Sequence, residues 1–289
     1  MQGEILNELL NYVPANGLLQ DRVILVTGAA MGIGRAVALA CGRFGATVVL
    51  LDKNNQLLEE TYDEILAAGL PEPVIAQMDM QTAEPEAYEH LVQSLYGELG
   101  RLDGLVLNAA FLGAFMPIKM HDVALWDQML KVNLTANFYL SRACIPLLEL
   151  ASDPAIVVSS DTSDKVYYGA YGVSKAALDA LMRLLAAEHD QDACFIRVNA
   201  IDTGPVRTRL RVLNFPGEVA ESLVLPQSVV GPYLYFLGPD AGKRTGERIA
   251  CGRLPADWRW PGEQQQDEQV QNQAQAQDND HDSASEEQS

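Results

Sequence analysis

The sequence predicts an α/β fold: one doubly wound parallel sheet of about seven strands with helices on both faces. Short apolar runs alternate along the chain with amphipathic helical stretches, and that alternation is the pattern of right-handed βαβ units. The first run, Val23-Ile24-Leu25-Val26, leads into the glycine turn Thr27-Gly28-Ala29-Ala30-Met31-Gly32-Ile33-Gly34, and a helix follows. A second strand then ends in an acid, Asp52. Strand, glycine turn, helix, strand and acid in this order form a Rossmann-type dinucleotide fingerprint, which is much more specific than glycines alone.

Each part has a physical reason. A strand apolar along its whole length suits the middle of a sheet covered on both faces. Gly28, Gly32 and Gly34 allow a sharp turn and a close approach to a pyrophosphate, where a Cβ would clash. Met31 and Ile33 lie between them, so the N–H groups at the start of the helix face the phosphates. Asp52 comes roughly 20 residues later, where a carboxylate can accept both hydroxyls of an adenine ribose.

Taken in order, residues 1–20 form a short amphipathic arm, and 21–260 form the sheet domain. The helix Arg35–Phe44 and the strand Thr47–Leu51 are followed by a helix over Asn54–Ala68, closed by Gly69 and Pro71. Pro73–Asp79 reads as the third strand, with Asp79 and Met80 at its carboxyl end, and Pro85–Leu99 as a helix. Leu102–Leu107 is the fourth strand, ending in Asn108-Ala109-Ala110. One long helix is expected over Trp126–Glu149, carrying Asn133, and a fifth strand over Ala155–Ser160. A second long helix covers Ala170–Glu188. The sixth strand is Phe195–Ile201, and Gly246–Cys251 is a short seventh. Thr27, Asp52, Asp79, Asn108, Ser160 and Thr203 all fall at carboxyl ends of strands, the edge where ligands bind in such sheets.

Composition narrows the partners. The net charge of −19 argues against nucleic acid and against an anionic membrane surface. No run is long and uncharged enough to span a bilayer. The N-terminus has no basic region of a secretory signal. Cys41, Cys144, Cys194 and Cys251 show no metal-like spacing, and neither do His90, His121, His189 and His281. A reducing cytoplasm is the expected location, with no metal. Residues 261–289 are rich in Gln, Asp, Glu, Asn and Ser with no Lys or Arg, and such a segment is expected to be a disordered acidic tail.

Chemistry is most legible in Tyr171-Gly172-Val173-Ser174-Lys175. Residues four apart share a helix face. An ammonium beside a phenol favours the phenolate and lowers its pKa, and a phenol tuned towards neutrality can serve as a general acid or base.

With these motifs together, residues 21–252 resemble the short-chain dehydrogenase/reductase family. The resemblance rests on Thr27-Gly28-x-x-x-Gly32-x-Gly34, Asp79, Asn108-Ala109, Asn133, Ser160, Tyr171 and Lys175. Leu112-Gly113, Tyr168-Gly169-Ala170-Tyr171 and Lys243-Arg244-Thr245-Gly246 resemble its YciK-like bacterial oxidoreductases. The resemblance implies that Tyr171 exchanges a proton with the substrate oxygen while hydride moves to or from nicotinamide. Ser160 would position that oxygen, Lys175 would bind the nicotinamide ribose and lower the Tyr171 pKa, and Asn133 would hold a relay water. It implies cofactor contacts at Asp79, Met80, Asn108 and Ala109 on the adenosine side, and at Thr203, Gly204 and Thr208 on the nicotinamide side. It also implies a homodimer or homotetramer through the two long helices.

Four departures stand out. Asn108-Ala109 is followed by Ala110 instead of glycine, and Thr203-Gly204-Pro205 replaces a Pro-Gly. The segment from Ser160 to Tyr171 is about two residues short. Either Ser160 or Asp161 could therefore face the tyrosine, because a one-residue slip re-aims a strand side chain. Ser160 is the expectation, since a hydroxyl both donates and accepts. The loop Pro205–Pro226 is short for a lid and carries Arg207, Arg209 and Arg211, which in an extended segment would face one way. They could attract an anionic substrate or simply be solvated.

The expected activity is hydride transfer between a nicotinamide dinucleotide and an alcohol or carbonyl substrate. NAD is favoured over NADP because Asp52 would repel a 2′-phosphate, although Lys53 and Arg35 pull the other way. The competing reading is a dinucleotide-binding sensor or scaffold with weakened catalysis. A carboxylate from Asp161 beside Tyr171 would favour it.

Overall fold

A computed structural model describes residues 2–162 and 164–263 of the chain. Most of the expected acidic tail, residues 264–289, lies outside them. Among the described residues, β1 (Val23–Thr27), β2 (Thr47–Asp52), β3 (Val74–Gln77), β4 (Gly104–Leu107), β5 (Ala155–Ser160), β6 (Arg197–Asp202) and β7 (Arg248–Ala250) form one sheet. Its order is β3-β2-β1-β4-β5-β6-β7, and every pairing is parallel.

The strands alternate their side chains between two cores, as a period of two requires. Ile24, Val26, Val48 and Leu50 face one core with α2 (Gly32–Arg43) and α9 (Gly231–Leu237). Val23, Leu25, Val49 and Leu51 face the other, with α4 (Pro85–Leu99), α6 (Ala136–Leu148) and α7 (Gly169–Glu188). β1 is flanked by β2 and β4, so the chain order reverses there. A crevice opens at the carboxyl ends of strands at such a switch point.

Burial at the far end is strongly ionic. Arg197, 1% exposed, donates to both carboxylate oxygens of Asp153, at 2.8 and 3.0 Å, and to the carbonyls of Phe236, Gly238 and Gly242. This anchors β6 to the start of β5 and to the end of α9. The N-terminal α1 (Gln2–Leu10) packs on α9, and the Trp260 indole N–H donates to the Tyr12 carbonyl at 2.7 Å.

Three expectations need correction, and one helix was not expected at all. Helix α2 starts inside the glycine turn, at Gly32, rather than at Arg35. The long helix is in three parts: α5 (Val123–Leu130), a π-helical turn over Lys131–Thr135, and α6. Helix α9 was not read in the sequence; it is buried at every residue, so it has no amphipathic period to detect. The segment after Pro205 is not extended: α8 (Arg209–Asn214) breaks the alternation of the arginines. Arg207 donates to the Ala220 carbonyl at 2.9 Å, while Arg211 stacks on Phe215 and pairs with Glu218.

Candidate active site

The crevice holds a cavity of about 350 Å³, a size suited to a small ligand. Two halves meet in it. The first is built on β1, β2 and β4. Thr27 organises it: its hydroxyl donates to the Val106 carbonyl at 3.1 Å and accepts from the N–H groups of Asn108 and Ala109 at 2.9 and 3.0 Å. The Asn108 amide donates to the Thr27 carbonyl at 3.0 Å, and its oxygen accepts from Ser159 at 3.1 Å.

Backbone packing requires the glycines. Gly28 has a φ of +68°, and a Cβ on it would lie 2.9 Å from the Asn108 amide nitrogen. Gly32 also has a positive φ and faces the Thr208 methyl. Gly34 lies behind the wall, where a Cβ would collide with the Gly28 carbonyl. Gly28, Met31, Gly32, Ile33, Asp52, Asp79, Met80, Asn108 and Ala109 line the cavity together. Asp52 accepts from the Asn54 N–H at 3.1 Å, and Asp79 accepts from the Gln81 N–H at 3.0 Å. Arg35 is held by Glu64, while Lys53 lines the cavity beside Asp52. A glycine turn in which a Cβ would strike Asn108 or the Gly28 carbonyl, at a helix start and next to an acid-ended strand, fits a dinucleotide.

The second half is built on β5, β6, α7 and α8. Thr203, Gly204 and Thr208 line it; Thr208 also caps α8 by accepting from the Arg211 N–H at 3.2 Å. Gly204, with a φ of +67°, passes so close to the Gly252 carbonyl that no side chain fits. Asn133 stands outside the lining. It sits in the π-helical turn, fully buried, accepting from the Phe111 N–H at 2.7 Å and donating to the Phe111 carbonyl and the Ser174 hydroxyl at 2.9 and 3.0 Å. A π turn offsets the helix by one residue and is frequent at functional sites; here it aims Asn133 at the wall of the cleft.

The expected serine–tyrosine pair does not form. The Ser160 hydroxyl donates to Asp179 at 2.6 Å and accepts from Arg248 at 3.1 Å. Asp161 takes the place beside the tyrosine: the Tyr171 hydroxyl donates to Asp161 Oδ2 at 2.7 Å. Ser160 is the last residue of β5, so the short connection to α7 brings the next side chain round to Tyr171. Ser160 still borders the cavity, as do Asp161, Tyr171 and Lys175.

The electrostatics also differ from expectation. Burial, followed by the Asp161 carboxylate, pushes the Tyr171 phenol well above its ordinary range. Lys175 does not reverse this. Its ammonium is buried, which pulls its pKa down, and it donates to the Ser159 carbonyl at 2.9 Å, 5.8 Å from the centre of the Tyr171 ring. Sequence reasoning missed Arg248, which bridges Asp179 and Asp202 at 2.9 and 2.8 Å and donates to the Asp161 carbonyl at 3.2 Å. No local pattern could reveal it, because β5, β6, β7 and α7 converge only in the folded chain.

Fold and site together define a nicotinamide-dinucleotide oxidoreductase scaffold, and the chain belongs to the short chain dehydrogenase family, whose model matches residues 22–218. It is 36% identical over 241 residues to the oxidoreductase YciK of Escherichia coli K12, covering 82% of this chain and 94% of that one. A short chain dehydrogenase structure from Pseudomonas syringae superposes with a TM-score of 0.81 at 37% identity, over 83% of this chain and 98% of that one. One from Shigella flexneri in complex with NADP superposes at 0.79 and 34% identity, over 82% and 99%. That complex weighs against the NAD preference read from Asp52. No helix among the described residues is long and apolar enough to cross a membrane.

Proposed function

We propose that this chain transfers a hydride between a nicotinamide dinucleotide and a small substrate of the alcohol or carbonyl type, with Tyr171 as the proton-bearing group at the reacting atom. The supporting observation is that Tyr171 and Lys175 border the same cavity as Gly28, Gly32 and Asp52. When bound, the dinucleotide supplies or takes the hydride. Gly28, Gly32 and Ile33 would hold its phosphates, Asp52 its adenine ribose, and Asp79, Met80, Asn108 and Ala109 its adenosine side. Thr203, Gly204 and Thr208 would hold its carboxamide end, with Lys175 near the second ribose. Asp52 supports use of NAD; the NADP-bound relative and Lys53 support NADP.

Tyr171 keeps its proton at neutral pH, so it serves more readily as a donor in reduction than as a base in oxidation. The Tyr171–Asp161 hydrogen bond also favours a second reading, a dinucleotide-responsive sensor with weakened catalysis. Exposed Phe138, Val173 and Leu184 on α6 and α7 support a homo-oligomer, and four free thiols support a reducing compartment. The test is Tyr171→Phe assayed with NADH and NADPH on a panel of ketones and aldehydes. Turnover is expected to fall by about 10²–10⁴-fold with dinucleotide affinity unchanged. Retained turnover would remove Tyr171 from the chemistry, and no turnover by the wild type with intact dinucleotide binding would favour the sensor.

A further inference from the structure

The reacting end of the cleft carries a carboxylate where a hydroxyl was expected, and its charge is poorly matched to a carbonyl. Asp161 is fixed from both sides: Oδ2 accepts from the Tyr171 hydroxyl and Oδ1 from the Thr162 N–H, each at 2.7 Å. Among the described residues, no cation hydrogen-bonds this carboxylate. Arg248 donates to the carboxylates of Asp179 and Asp202 and reaches only the main-chain carbonyl of Asp161. Lys175 donates to the Ser159 carbonyl and stands near enough to Asp161 to feel its charge without hydrogen-bonding it. At the mouth, Arg211 is paired with Glu218 and Arg209 is exposed on α8. Phe111, Leu112, Leu210 and Phe215 share the wall with Arg209 and Arg211, and Asp161 is the acid that a small cation would meet beside Tyr171.

We propose that this site acts on carbon–nitrogen bonds, with Asp161 holding a protonated imine against Tyr171. The inference rests on the reading that the cleft binds a nicotinamide dinucleotide. Hydride addition to a carbonyl builds negative charge on oxygen, which an adjacent carboxylate opposes. An iminium ion reverses the sign. The carboxylate favours the protonated imine, as an opposite charge does for any cationic acid. The step then balances without a proton from the protein. The hydride of the reduced nicotinamide forms the new C–H bond at the iminium carbon. The C=N π pair collapses onto nitrogen, leaving a neutral amine, and the positive charge passes to the nicotinamide ring. No anion arises beside Asp161, so imine reduction does not call on the Tyr171 proton that carbonyl reduction would use. The substrate class is a small, largely apolar imine or the corresponding amine.

The test compares wild type, Asp161→Ser and the isosteric Asp161→Asn, using the full chain. The reducible probes are 2-methyl-1-pyrroline and cyclohexanone, followed by consumption of NADH or NADPH. In parallel, 2-methylpyrrolidine hydrochloride and cyclohexanol are titrated calorimetrically into each protein in the presence of NADP or NAD, and dinucleotide binding is measured separately. The expected result is a wild-type kcat/KM at least tenfold higher for the imine than for the ketone, with that ratio falling at least tenfold in both variants. The ammonium ligand should bind the wild type at least tenfold more tightly than either variant, with cyclohexanol unaffected. Preference for the ketone, or an imine-to-ketone ratio unchanged in Asp161→Asn, would overturn the proposal and leave the oxidoreductase reading standing. Dinucleotide binding with neither imine turnover nor ammonium binding would overturn it too. Failure to bind either dinucleotide would overturn both.

Discussion

The two halves of the cleft are built differently. The half on β1, β2 and β4 is made of backbone: Gly28, Gly32 and Gly34 are held by Thr27 and Asn108, and their places follow from what a Cβ would strike. The half on β5, β6 and α7 is made of charged side chains: Asp161, Asp179, Asp202, Arg248 and Lys175 share a few ångströms of partly dry space. The comparison shows that a backbone cradle tolerates little change, whereas a side-chain cluster can alter its chemistry when one loop shortens. Variants in the first half should therefore change dinucleotide affinity, and variants of Asp161, Asp179, Asp202 and Arg248 in the second should change turnover or stability.

The largest effect is expected at the base of the second half. Arg197→Ala would leave the carbonyls of Phe236, Gly238 and Gly242 without their donor and half-strip Asp153. Asp153 keeps Arg22, but each buried carbonyl left without its donor costs about 1–3 kcal/mol, so thermal or denaturant unfolding should show a loss of about 3–5 kcal/mol. A loss below about 1 kcal/mol would mean that this ionic base is not what secures β5 and β6.

Gly34→Ala tests the cradle. Its methyl group would meet the Gly28 carbonyl and the Asn108 amide. Overpacking of this kind costs roughly 1–3 kcal/mol. Dinucleotide Kd, read by fluorescence titration, should rise about 10–100-fold by the same conversion. An unchanged Kd would separate the glycine turn from dinucleotide binding.

Ser160→Ala sharpens the contrast within the second half. It removes the donor to Asp179 and the acceptor for Arg248, and buried partners left unpaired cost about 1–3 kcal/mol. Stability should fall by that amount with dinucleotide Kd unchanged. A change confined to dinucleotide affinity would contradict the assignment of Ser160 to the ionic cluster.

Asp52→Ala should shift the ratio of NADP to NAD affinity towards NADP by about tenfold, since it removes a charge that repels a 2′-phosphate. An unmoved ratio would assign selectivity to Lys53.

The smallest effect is on the acid side of stability. Arg197 and Arg22 hold the Asp153 carboxyl below its ordinary value of 3.8, against the opposing effect of burial. A carboxyl with a depressed folded pKa binds its proton more readily when the chain is unfolded. Its contribution to stability is therefore complete above 3.8 and is lost as pH falls through the lower folded value. Asp153→Asn should flatten that acid limb in urea titrations. A limb of the same depth in the variant would assign it to other carboxylates.

The sequence by itself determined the α/β class, the glycine turn, the acid at the end of β2 and the Tyr171–Lys175 spacing on one helix face. These are local. Each depends on a period, a turn or a run of a few residues, and backbone sterics allow each only a few outcomes. Helix α9 escaped because full burial erases the period that would mark it. The arginines after Pro205 misled because alternation means a shared face only if the segment is a strand, and α8 makes it a helix. Above all, the residue facing Tyr171 was not legible. Ser160 and Asp161 are neighbours in sequence but point to different environments, and the choice depends on where β5 ends and how the shortened connection turns into α7. The tertiary structure decided it. It brought Arg248 and Asp179 to the Ser160 hydroxyl, because buried polar groups must find partners, and thereby left Asp161 as the group that meets the tyrosine.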